Sequence, residues 1–429
     1  MEITTYLQLY MYPDKQPIFL RQTHLYLAAL YVNIAYSALT QISLPLPHKM
    51  TPTQQQFISL LKCGLWGTHP DPRQFAQADW PAIAKMAKEQ CVTALITDAM
   101  NELAANNVSI DKAILYKANF DAIRIARRNA QMNATLAEIT ELLNSSKVPT
   151  VLLKGQGVAQ NYRKPEQRMS GDIDLYVGEK NYDKAVNVLQ EKYSKHAGDV
   201  ETKKHYSLDI GTTRVELHRQ ADHLSNPMEN NYFQRLTKRY LQNTGNQSIA
   251  QHPGNQSLLQ NPACTKQTPP PQFDALFIFN HLFHHYLIQG IGLRQLCDWA
   301  RYLYIRSNEI DMQQLKTDLQ KTGLLKAWKI FGFIAVDTLG LPVENFPFYE
   351  HRTSQGEKVL ENIFTGGNFG YYNPELGKRP KGYIASKLFT VRRTYQQFFK
   401  NISIFPGKII PKLFIYPFEG IAQLFREKI

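Results

Sequence analysis

Cysteine is scarce in this chain, and its few cysteines form no pattern that would make a site. The 429 residues include four cysteines, and none of them belongs to a Cys-x-x-Cys pair. Their spacings fit neither a zinc site nor a disulfide framework. We therefore interpret them as buried or unreactive thiols in a reducing cytoplasm. No internal repeat is visible, which excludes a repeat architecture, and no recognised nucleic-acid-binding module is present.

Acidic residues are the minority charge. The chain carries 49 Lys and Arg against 36 Asp and Glu, with a net charge of +13 and a pI near 9.3. This balance favours an acidic partner, and nucleic acid, nucleotide phosphates and an anionic membrane surface all satisfy it. With 43% hydrophobic and 20% charged residues, the composition is that of an ordinary globular protein, and its length suits two or three domains.

Charged side chains are missing from residues 22–48. This stretch is about long enough to span a bilayer, but Asn33, Ser37, Thr40 and Gln41 interrupt it. It has neither the clean apolar run nor the cleavage site of a signal peptide. Three interpretations of residues 1–49 stay open: translation that begins at Met50, a weak membrane anchor, or an ordinary helix.

Residues 50–146 have a helical pattern. Thr51 or Thr53 can cap a first helix that runs to about Cys63, and Asp79 with Pro81 suits the start of another. A long helix is predicted after Ser109, because its apolar residues recur at helical spacing. These residues are Ile125, Met132, Leu136, Ile139 and Leu143.

The periodicity changes at Val148, and residues 147–239 predict a mixed α/β core. VPTVLLKG is typical of a buried strand that enters a glycine turn, and GVAQNYRK suits a short helix. DIDLYV is a second strand, followed by the amphipathic helix KNYDKAVNVLQEK. HYSLDI and TRVELHR flank Gly211 and Thr212, which predicts a β-hairpin. A linker or insertion over 240–272, a helical domain over 273–345 and a basic, aromatic region over 346–429 complete the predicted organisation.

Two carboxylates recur at strand spacing in this core. Residues two apart on a strand point to the same face, so Asp172 and Asp174 lie side by side while Ile173 and Leu175 turn into the core. Adjacent like charges are costly unless a hard cation neutralises them. Glu216 leaves its strand on the face opposite to its apolar neighbours. If the two strands are adjacent, Glu216 completes a three-carboxylate cluster that can hold two Mg²⁺ ions.

Upstream, Lys154 and Gly155 close a strand and open a helix, and Gly157 follows. Glycine lets backbone N–H groups approach a phosphate, and Lys154 adds a point charge. We predict a nucleotide-binding turn formed by Lys154, Gly155 and Gly157. Arg168, in the loop before the Asp-x-Asp strand, is a further candidate for phosphate contact.

The segment LLKGQGVAQNYRKPEQRMSGDIDLYV, followed by VELHRQ, resembles a bacterial nucleotidyltransferase-like family with a Lys-Gly turn. This family is similar to DNA polymerase β-like nucleotidyltransferases. Further similarity lies in HLFHHYLIQGIGLRQLCDWARYL and GGNFG, so the resemblance extends over about residues 51–370.

The resemblance implies an α+β fold, with a polymerase β-like core of mixed sheet and flanking helices between N-terminal and C-terminal helical regions. It implies that Asp172 and Asp174 bind metal and that Glu216 is the third acid. The implied reaction transfers a nucleoside monophosphate from an NTP to a hydroxyl or phosphate acceptor, with Mg²⁺, or with Mn²⁺ in its place. Lys154 and Gly155 would form the phosphate-side turn.

One departure from the family pattern concerns the donor. The turn is usually Gly-Ser or Gly-Gly, and here it is Gly155-Gln156, so the serine hydroxyl that would contact a triphosphate is missing. Two rival hypotheses stay open. One is a nucleotide-sugar glycosyltransferase that uses Asp-x-Asp, and the other is a non-catalytic nucleotide-binding module.

Histidines outside this cluster allow two interpretations. His281, His284 and His285 share a helix face, which would suit zinc with Asp298 or His218 as a further ligand. The simpler interpretation is that they line or brace the cleft between the helical domain and the core. His218 shares a strand face with Glu216 and could orient substrate or be purely structural.

The C-terminal region alternates aromatic and basic residues. Between Lys378 and Lys428 there are eleven Lys or Arg against only Glu419 and Glu427. Such a pattern suits peripheral contact with an anionic membrane as well as nucleic acid, and folding back on the protein is the simplest outcome. The predicted location is therefore the cytoplasm, with or without contact at the inner face of the membrane.

Overall fold

The computed structural model describes residues 50–193, 200–201, 205–242, 268–377, 379–413 and 416. The predictions for residues 1–49 and most of those for 240–272 lie outside this part of the chain. The described residues fall in two compact units that divide between Glu375 and Leu376. Within the described part, no helix has the length and apolarity needed to cross a membrane.

Between residue 50 and the first strand, the structure has the three helices that the sequence pattern predicts and one more, Thr93–Ala105, that it does not. Thr51 caps the first helix, and its hydroxyl accepts a hydrogen bond from the backbone N–H of Gln54. Asp79 caps the second, as expected, through the backbone N–H of Ala82. The first helix ends at Trp66, three residues beyond the predicted end near Cys63, and Gly67 forms the C-cap with a left-handed backbone. The bounds are α1 Pro52–Trp66, α2 Trp80–Glu89, α3 Thr93–Ala105 and α4 Lys112–Ser145.

Helix α4 spans 34 residues and carries the predicted apolar face into the core. All five residues of that face are buried: Ile125, Met132, Leu136, Ile139 and Leu143. The last four belong to one hydrophobic cluster with residues of the sheet and of the helix that follows the Asp-x-Asp strand. Helix α4 therefore forms a layer against one face of the sheet.

The sheet has five strands in the spatial order β1-β2-β5-β4-β3. Strands β2 and β5 are parallel, and the other three neighbouring pairs are antiparallel. The predicted hairpin is confirmed, because β4 and β5 flank the two-residue turn Gly211-Thr212. The bounds are β1 Val151–Leu153, β2 Asp172–Tyr176, β3 Val200–Glu201, β4 His205–Ile210 and β5 Thr213–His218, with the short helix α5 Gly155–Ala159 and the helix α6 Gly178–Tyr193 between strands.

Alternation along β2 and β5 separates an apolar face from a polar face. In the parallel register, Ile173 pairs with Val215 and Leu175 with Leu217, and all four side chains join the hydrophobic cluster. The intervening pair, Asp174 with Glu216, must then point to the opposite face. The core thereby places the carboxylates on the face away from α4.

Helices cover the remainder of the larger unit, so the predicted α+β arrangement is what the structure has. A buried aromatic group in α8, α9 and α11 forms their core, including Phe279, Trp299 and Trp328. The bounds are α7 Pro227–Thr237, α8 Pro271–Ile288, α9 Leu293–Arg306, α10 Met312–Lys321, α11 Leu325–Phe333 and α12 Thr353–Gly366.

The smaller unit contains α13, Tyr383–Asn401. Several aromatic residues of the basic region are buried here, among them Phe398, Phe399 and Phe405. Buried rings are unavailable to a membrane or to nucleic-acid bases. The remainder of the basic region after residue 413, apart from Tyr416, lies outside the described residues.

Candidate functional site

The candidate site is built from carboxylates on the polar face of β2 and β5. Asp174 is 3% exposed, and Glu216 lies directly opposite it in the strand register. His218, two residues further along β5, contacts both: its Nε2 lies 2.8 Å from Asp174 Oδ1 and 3.6 Å from Glu216 Oε2. One ligand atom from each of the three residues falls within 4.8 Å of the others. The fold thus brings together two of the predicted acids and adds a histidine.

Asp172, the third predicted acid, lies at the start of β2 and is half-buried. Within the described residues, the close group of ligand atoms contains His218 and not Asp172. The charge of Asp172 still reaches the site, because it raises the pKa values of Lys154 and Glu216. Asp172 therefore flanks the cluster at the open end of the strand.

Lys154 reaches the cluster from the turn that follows β1. Its Nζ lies 3.3 Å from Asp174 Oδ2 and 3.3 Å from His281 Nε2. Both Lys154 and Gly155 have positive φ angles, 48° and 43°. A lysine rarely adopts this backbone conformation, and such strain is found preferentially at functional turns.

Steric crowding is a second reason for glycine at position 155. A Cβ there would lie 3.2 Å from the backbone oxygen of Asp172. The turn therefore approaches the Asp-x-Asp strand as closely as backbone allows. Gly157 packs beside Leu152 and Thr268, where a Cβ would lie 3.3 Å from the Thr268 methyl carbon. The predicted nucleotide-binding turn is thus held directly against β2.

Charges in the site alter each other's protonation. Burial opposes ionisation of Asp174, but the Lys154 ammonium and the His218 hydrogen bond hold its pKa well below the usual range. Burial alone would lower the pKa of Lys154, and the charges of Asp174 and Asp172 raise it overall. Burial and the same two carboxylates raise the pKa of Glu216. The site therefore holds an excess of negative charge that a cation would relieve.

The donor set fits a divalent cation. Two carboxylates with converging oxygens supply the hard ligands that Mg²⁺ and Mn²⁺ prefer, and an imidazole is acceptable to Mn²⁺. The Lys154 ammonium already lies at hydrogen-bonding distance from Asp174, on the same carboxylate a metal would use. Among the described residues, Asp174, Glu216 and His218 are the ones whose ligand atoms converge closely enough to hold one metal ion, with Asp172 beside them at the start of β2.

A second carboxylate lies on the other side of Lys154, in the loop after β5. Asp222 Oδ2 is 3.8 Å from His281 Nδ1 and accepts a hydrogen bond of 2.9 Å from Asn280 Nδ2. The pKa of Asp222 is well below its usual range: burial opposes this shift, and the nearby imidazoles of His223 and His281 produce it. No feature of the sequence singled out Asp222, because its partners lie about 60 residues away on α8.

The histidines of α8 form a group beside this carboxylate. The His281 and His285 rings have centroids 4.4 Å apart, and the His284 ring lies 5.3 Å from that of His223. Burial, followed by the charge of Lys154, lowers the pKa of His281. Within the described residues, the one close group of metal ligand atoms lies on the sheet and includes none of these histidines. They line the boundary between α8 and the core, as the simpler interpretation predicts.

Arg168 lies in a different, closed network. Its Nε and Nη2 each donate to a different oxygen of Asp298 at 2.7 Å, and its Nη1 donates to the Ser170 hydroxyl at 3.0 Å. Tyr162 donates to Asp298 as well, at 2.7 Å. In this structure the guanidinium is 4% exposed and fixes the loop that leads to β2. Its predicted phosphate contact stays a prediction.

Gln156 occupies the position where the family pattern usually has serine. Its side chain hydrogen-bonds to residues outside the turn. It is 5% exposed, donates to Asn133 Oδ1 at 2.7 Å and accepts a hydrogen bond from the Ser170 hydroxyl. Gln156 therefore connects the turn to α4 and to the Arg168 network. It does not substitute for the missing serine hydroxyl.

Comparison with known proteins identifies the family. A family model described as an uncharacterised nucleotidyltransferase matches residues 76–340. This range is more than half of the 429 residues and contains every candidate site residue. No curated protein and no solved structure matches the chain. The chain belongs to this nucleotidyltransferase family.

Proposed function

We propose that this member of the family transfers a nucleoside monophosphate from an NTP to a hydroxyl or phosphate acceptor and releases pyrophosphate. The observation that carries the proposal is the in-register pairing of Asp174 with Glu216 on parallel strands, with converging ligand atoms. Family membership supports the transferase class.

The proposed metal residues are Asp172, Asp174 and Glu216, with His218 as an additional ligand or orienting group. A bound Mg²⁺ or Mn²⁺ would supply positive charge to the acceptor oxygen and to the leaving pyrophosphate. Asp174 is ionised in the folded chain, so it needs no proton release to bind a cation. The pKa of Glu216 is raised by burial and by Asp174 and Asp172, and a cation would reverse the effect of these charges.

Lys154 is the proposed phosphate contact, with Gly155 and Gly157 shaping the turn around the phosphates. The ammonium lies on the carboxylate cluster and is buried enough to interact strongly with an anion. With a metal on Asp174, the ammonium no longer has to neutralise this carboxylate. It can then donate to a phosphate oxygen of the nucleotide. The role of Arg168 in this proposal is to hold the loop before β2.

A non-catalytic nucleotide-binding module is the second candidate. The observation that favours it is Gln156, whose side chain is fixed between Asn133 and Ser170 and leaves the turn without a hydroxyl for the triphosphate. Such a module would bind nucleotide without releasing pyrophosphate. Binding and turnover must therefore be measured separately.

The test is a ligand panel on the full chain. Thermal stability is measured with each of the four NTPs and with several nucleotide-sugars, with and without Mg²⁺ or Mn²⁺. Pyrophosphate release is measured in parallel. Asp174→Asn/Glu216→Gln is the test variant. Asp209→Asn, which removes an exposed carboxylate of β4, is the matched control.

Metal-dependent stabilisation by an NTP, present in the control and absent in the test variant, supports the proposal when pyrophosphate is released. The same stabilisation without pyrophosphate release favours the non-catalytic module. Stabilisation by nucleotide-sugars alone favours a glycosyltransferase and contradicts the proposal. No response to any ligand contradicts both nucleotide-dependent functions.

A further inference from the structure

We propose that Asp222, acting through His281, is a positioning residue that holds the Lys154 ammonium at the nucleotide-binding turn. The proposal rests on the proposed function only in giving Lys154 a phosphate to contact. Asp222 and His281 lie outside the carboxylate cluster that the Asp-x-Asp pattern predicts. They would connect the helical part of the larger unit to the nucleotide-binding turn.

The direction of the hydrogen bond defines the state of the imidazole. A lysine ammonium has three donors and no acceptor, so His281 Nε2, 3.3 Å from Lys154 Nζ, must accept and carry no proton. A neutral imidazole then carries its proton on Nδ1. That atom lies 3.8 Å from Asp222 Oδ2, beyond hydrogen-bonding distance, so Asp222 acts on the ring through the attraction between its charge and the N–H group. The order of groups is carboxylate, imidazole, ammonium and then Asp174.

Asp222 is itself firmly held, which a positioning residue requires. Its Oδ2 accepts from Asn280, and its Oδ1 accepts from the backbone N–H of His223 at 2.8 Å. Its backbone carbonyl accepts from Gln234 at 2.8 Å. The Asp222 side chain is 10% exposed. The carboxylate therefore has a fixed place relative to both β5 and α8.

The protonation states agree with this order. Burial and the charge of Lys154 lower the pKa of His281, which keeps its imidazole neutral near neutral pH. The nearby imidazoles of His223 and His281 outweigh burial and lower the pKa of Asp222, which keeps its carboxylate ionised. A neutral imidazole between an ammonium and a carboxylate has one favourable tautomer, with the proton toward the carboxylate.

The consequence concerns the state with substrate bound. Lys154 has partners on two sides, Asp174 and His281. If a metal takes over Asp174, His281 and Asp222 still orient the ammonium, so it stays at the turn where a phosphate would bind. Without this second partner, a side chain with four rotatable bonds would lose that orientation. Asp222 would thus affect nucleotide affinity more than metal affinity.

The first experiment reads the imidazole directly and needs no nucleotide. In the full chain labelled with ¹⁵N-histidine, His281→Gln assigns the His281 signals among the twelve histidines. We expect a neutral ring protonated on Nδ1, and Lys154→Met should shift the population toward protonation on Nε2. A wild-type ring that is protonated on Nε2 would overturn the proposal.

The second experiment measures affinity for Mg²⁺-NTP and for Mn²⁺ alone by calorimetry. Asp222→Asn should weaken NTP binding by about tenfold, the scale typical of outer partners of a site, and leave Mn²⁺ binding unchanged. With Lys154→Met, the double variant should bind no more weakly than Lys154→Met alone. Asp318→Asn is the matched control, since Asp318 is a buried carboxylate that accepts from Tyr232 and Gln314, neither of which is a candidate site residue.

Equal NTP affinities for Asp222→Asn and Asp318→Asn would overturn the proposal, as would simple additivity with Lys154→Met. Failure of the proposed function gives a different result. In that case the wild type binds no NTP, while the ¹⁵N signals of His281 still report whether Lys154 and Asp222 orient the ring.

Discussion

Two buried carboxylates in this protein are each paired with a buried cation, and they differ in how completely they are paired. Asp298 receives two hydrogen bonds of 2.7 Å from the planar Arg168 guanidinium and a third from Tyr162. Asp174 has one ammonium at 3.3 Å and one imidazole at 2.8 Å. The first carboxylate is therefore held by a planar, bidentate partner, whereas the second is held by a single point charge and one ring nitrogen.

The type of cation distinguishes a structural carboxylate, Asp298, from a candidate metal-binding carboxylate, Asp174. Bidentate arginine pairs suit permanent contacts, because the guanidinium and the carboxylate match in shape. A lysine acts as a point charge that another cation can replace. Both carboxylates lie in the family-matched region and both are conspicuous in the sequence, but only Asp174 lies within reach of further metal-ligand atoms.

Breaking the Arg168–Asp298 pair should give the largest effect. Arg168→Met leaves Asp298 buried with an uncompensated charge, so the free energy of unfolding should fall by roughly 3–5 kcal/mol. Urea denaturation measures this loss. Arg168→Met/Asp298→Leu removes both charges and should recover most of it. A loss below about 1 kcal/mol for the single variant would show that the pair is not a structural element.

A third buried carboxylate, Asp274, extends the comparison. Its polar contacts are too weak to offset the effect of burial on its pKa. Burial raises the pKa of Asp274 from 3.8 to about 7, against a hydrogen bond from Tyr302 and the charge of Arg306. The folded chain therefore keeps a proton that the unfolded chain loses. The free energy of unfolding should be highest below pH 4 with respect to this group, fall between pH 4 and 7, and stay low above pH 7.

Asp274→Asn cannot ionise, so it should remove this dependence and raise stability at pH 8 by roughly 2–3 kcal/mol, somewhat less than the full linkage value because an amide is also costly to bury. Denaturation at pH 5 and at pH 8 measures the change. Equal effects of the substitution at both pH values would contradict the raised pKa.

Removing the Lys154 ammonium should lower the stability of the metal-free protein by a smaller amount. Lys154→Met leaves Asp174 with His218 as its remaining partner, so we expect a loss of roughly 1–3 kcal/mol. Divalent metal should then bind more tightly, because it no longer competes with the ammonium. Thermal melts with and without Mn²⁺ measure both changes. A variant that binds Mn²⁺ more weakly than wild type would show that Lys154 assists metal binding.

The smallest loss of stability is expected at Ser170, which connects the Arg168 network to the nucleotide-binding turn through Gln156. Ser170 accepts from Arg168 and donates to Gln156, so Ser170→Ala should cost about 1 kcal/mol in stability. It should leave metal affinity unchanged, because Asp174 is not among its partners. Calorimetric titration of Mn²⁺ against this variant is the check, and a changed affinity would mean that the networks are coupled.

Local patterns predict part of this molecule well. The apolar face of α4, the alternation of β2 and β5 and the two-residue hairpin turn follow from spacing alone, and the structure confirms each of them. The α+β class and the family follow from the same strands and turns. The predicted acids Asp174 and Glu216 come together because each lies on the polar face of its own strand and the two strands are adjacent.

Partners distant in sequence could not be predicted in the same way. The Arg168–Asp298 pair joins residues separated by 130 positions, and the contact of Lys154 with His281 spans 127. Neither separation has a periodic signal. His218 did have a signal, since it shares the strand face of Glu216, and its side-chain chemistry could have marked it as a ligand. Asp222 has no such signal, because a loop residue takes its role from the elements that pack on it.

The parallel register of β2 and β5 links core stability to chemistry. A slip of one residue between these strands would turn Val215 and Leu217 away from the hydrophobic cluster and Glu216 away from Asp174 at the same time. The packing that stabilises the core therefore also preserves the alignment of the Asp174 and Glu216 carboxylates. The spacing of the two carboxylates is thus set by the apolar residues that alternate with them along the strands.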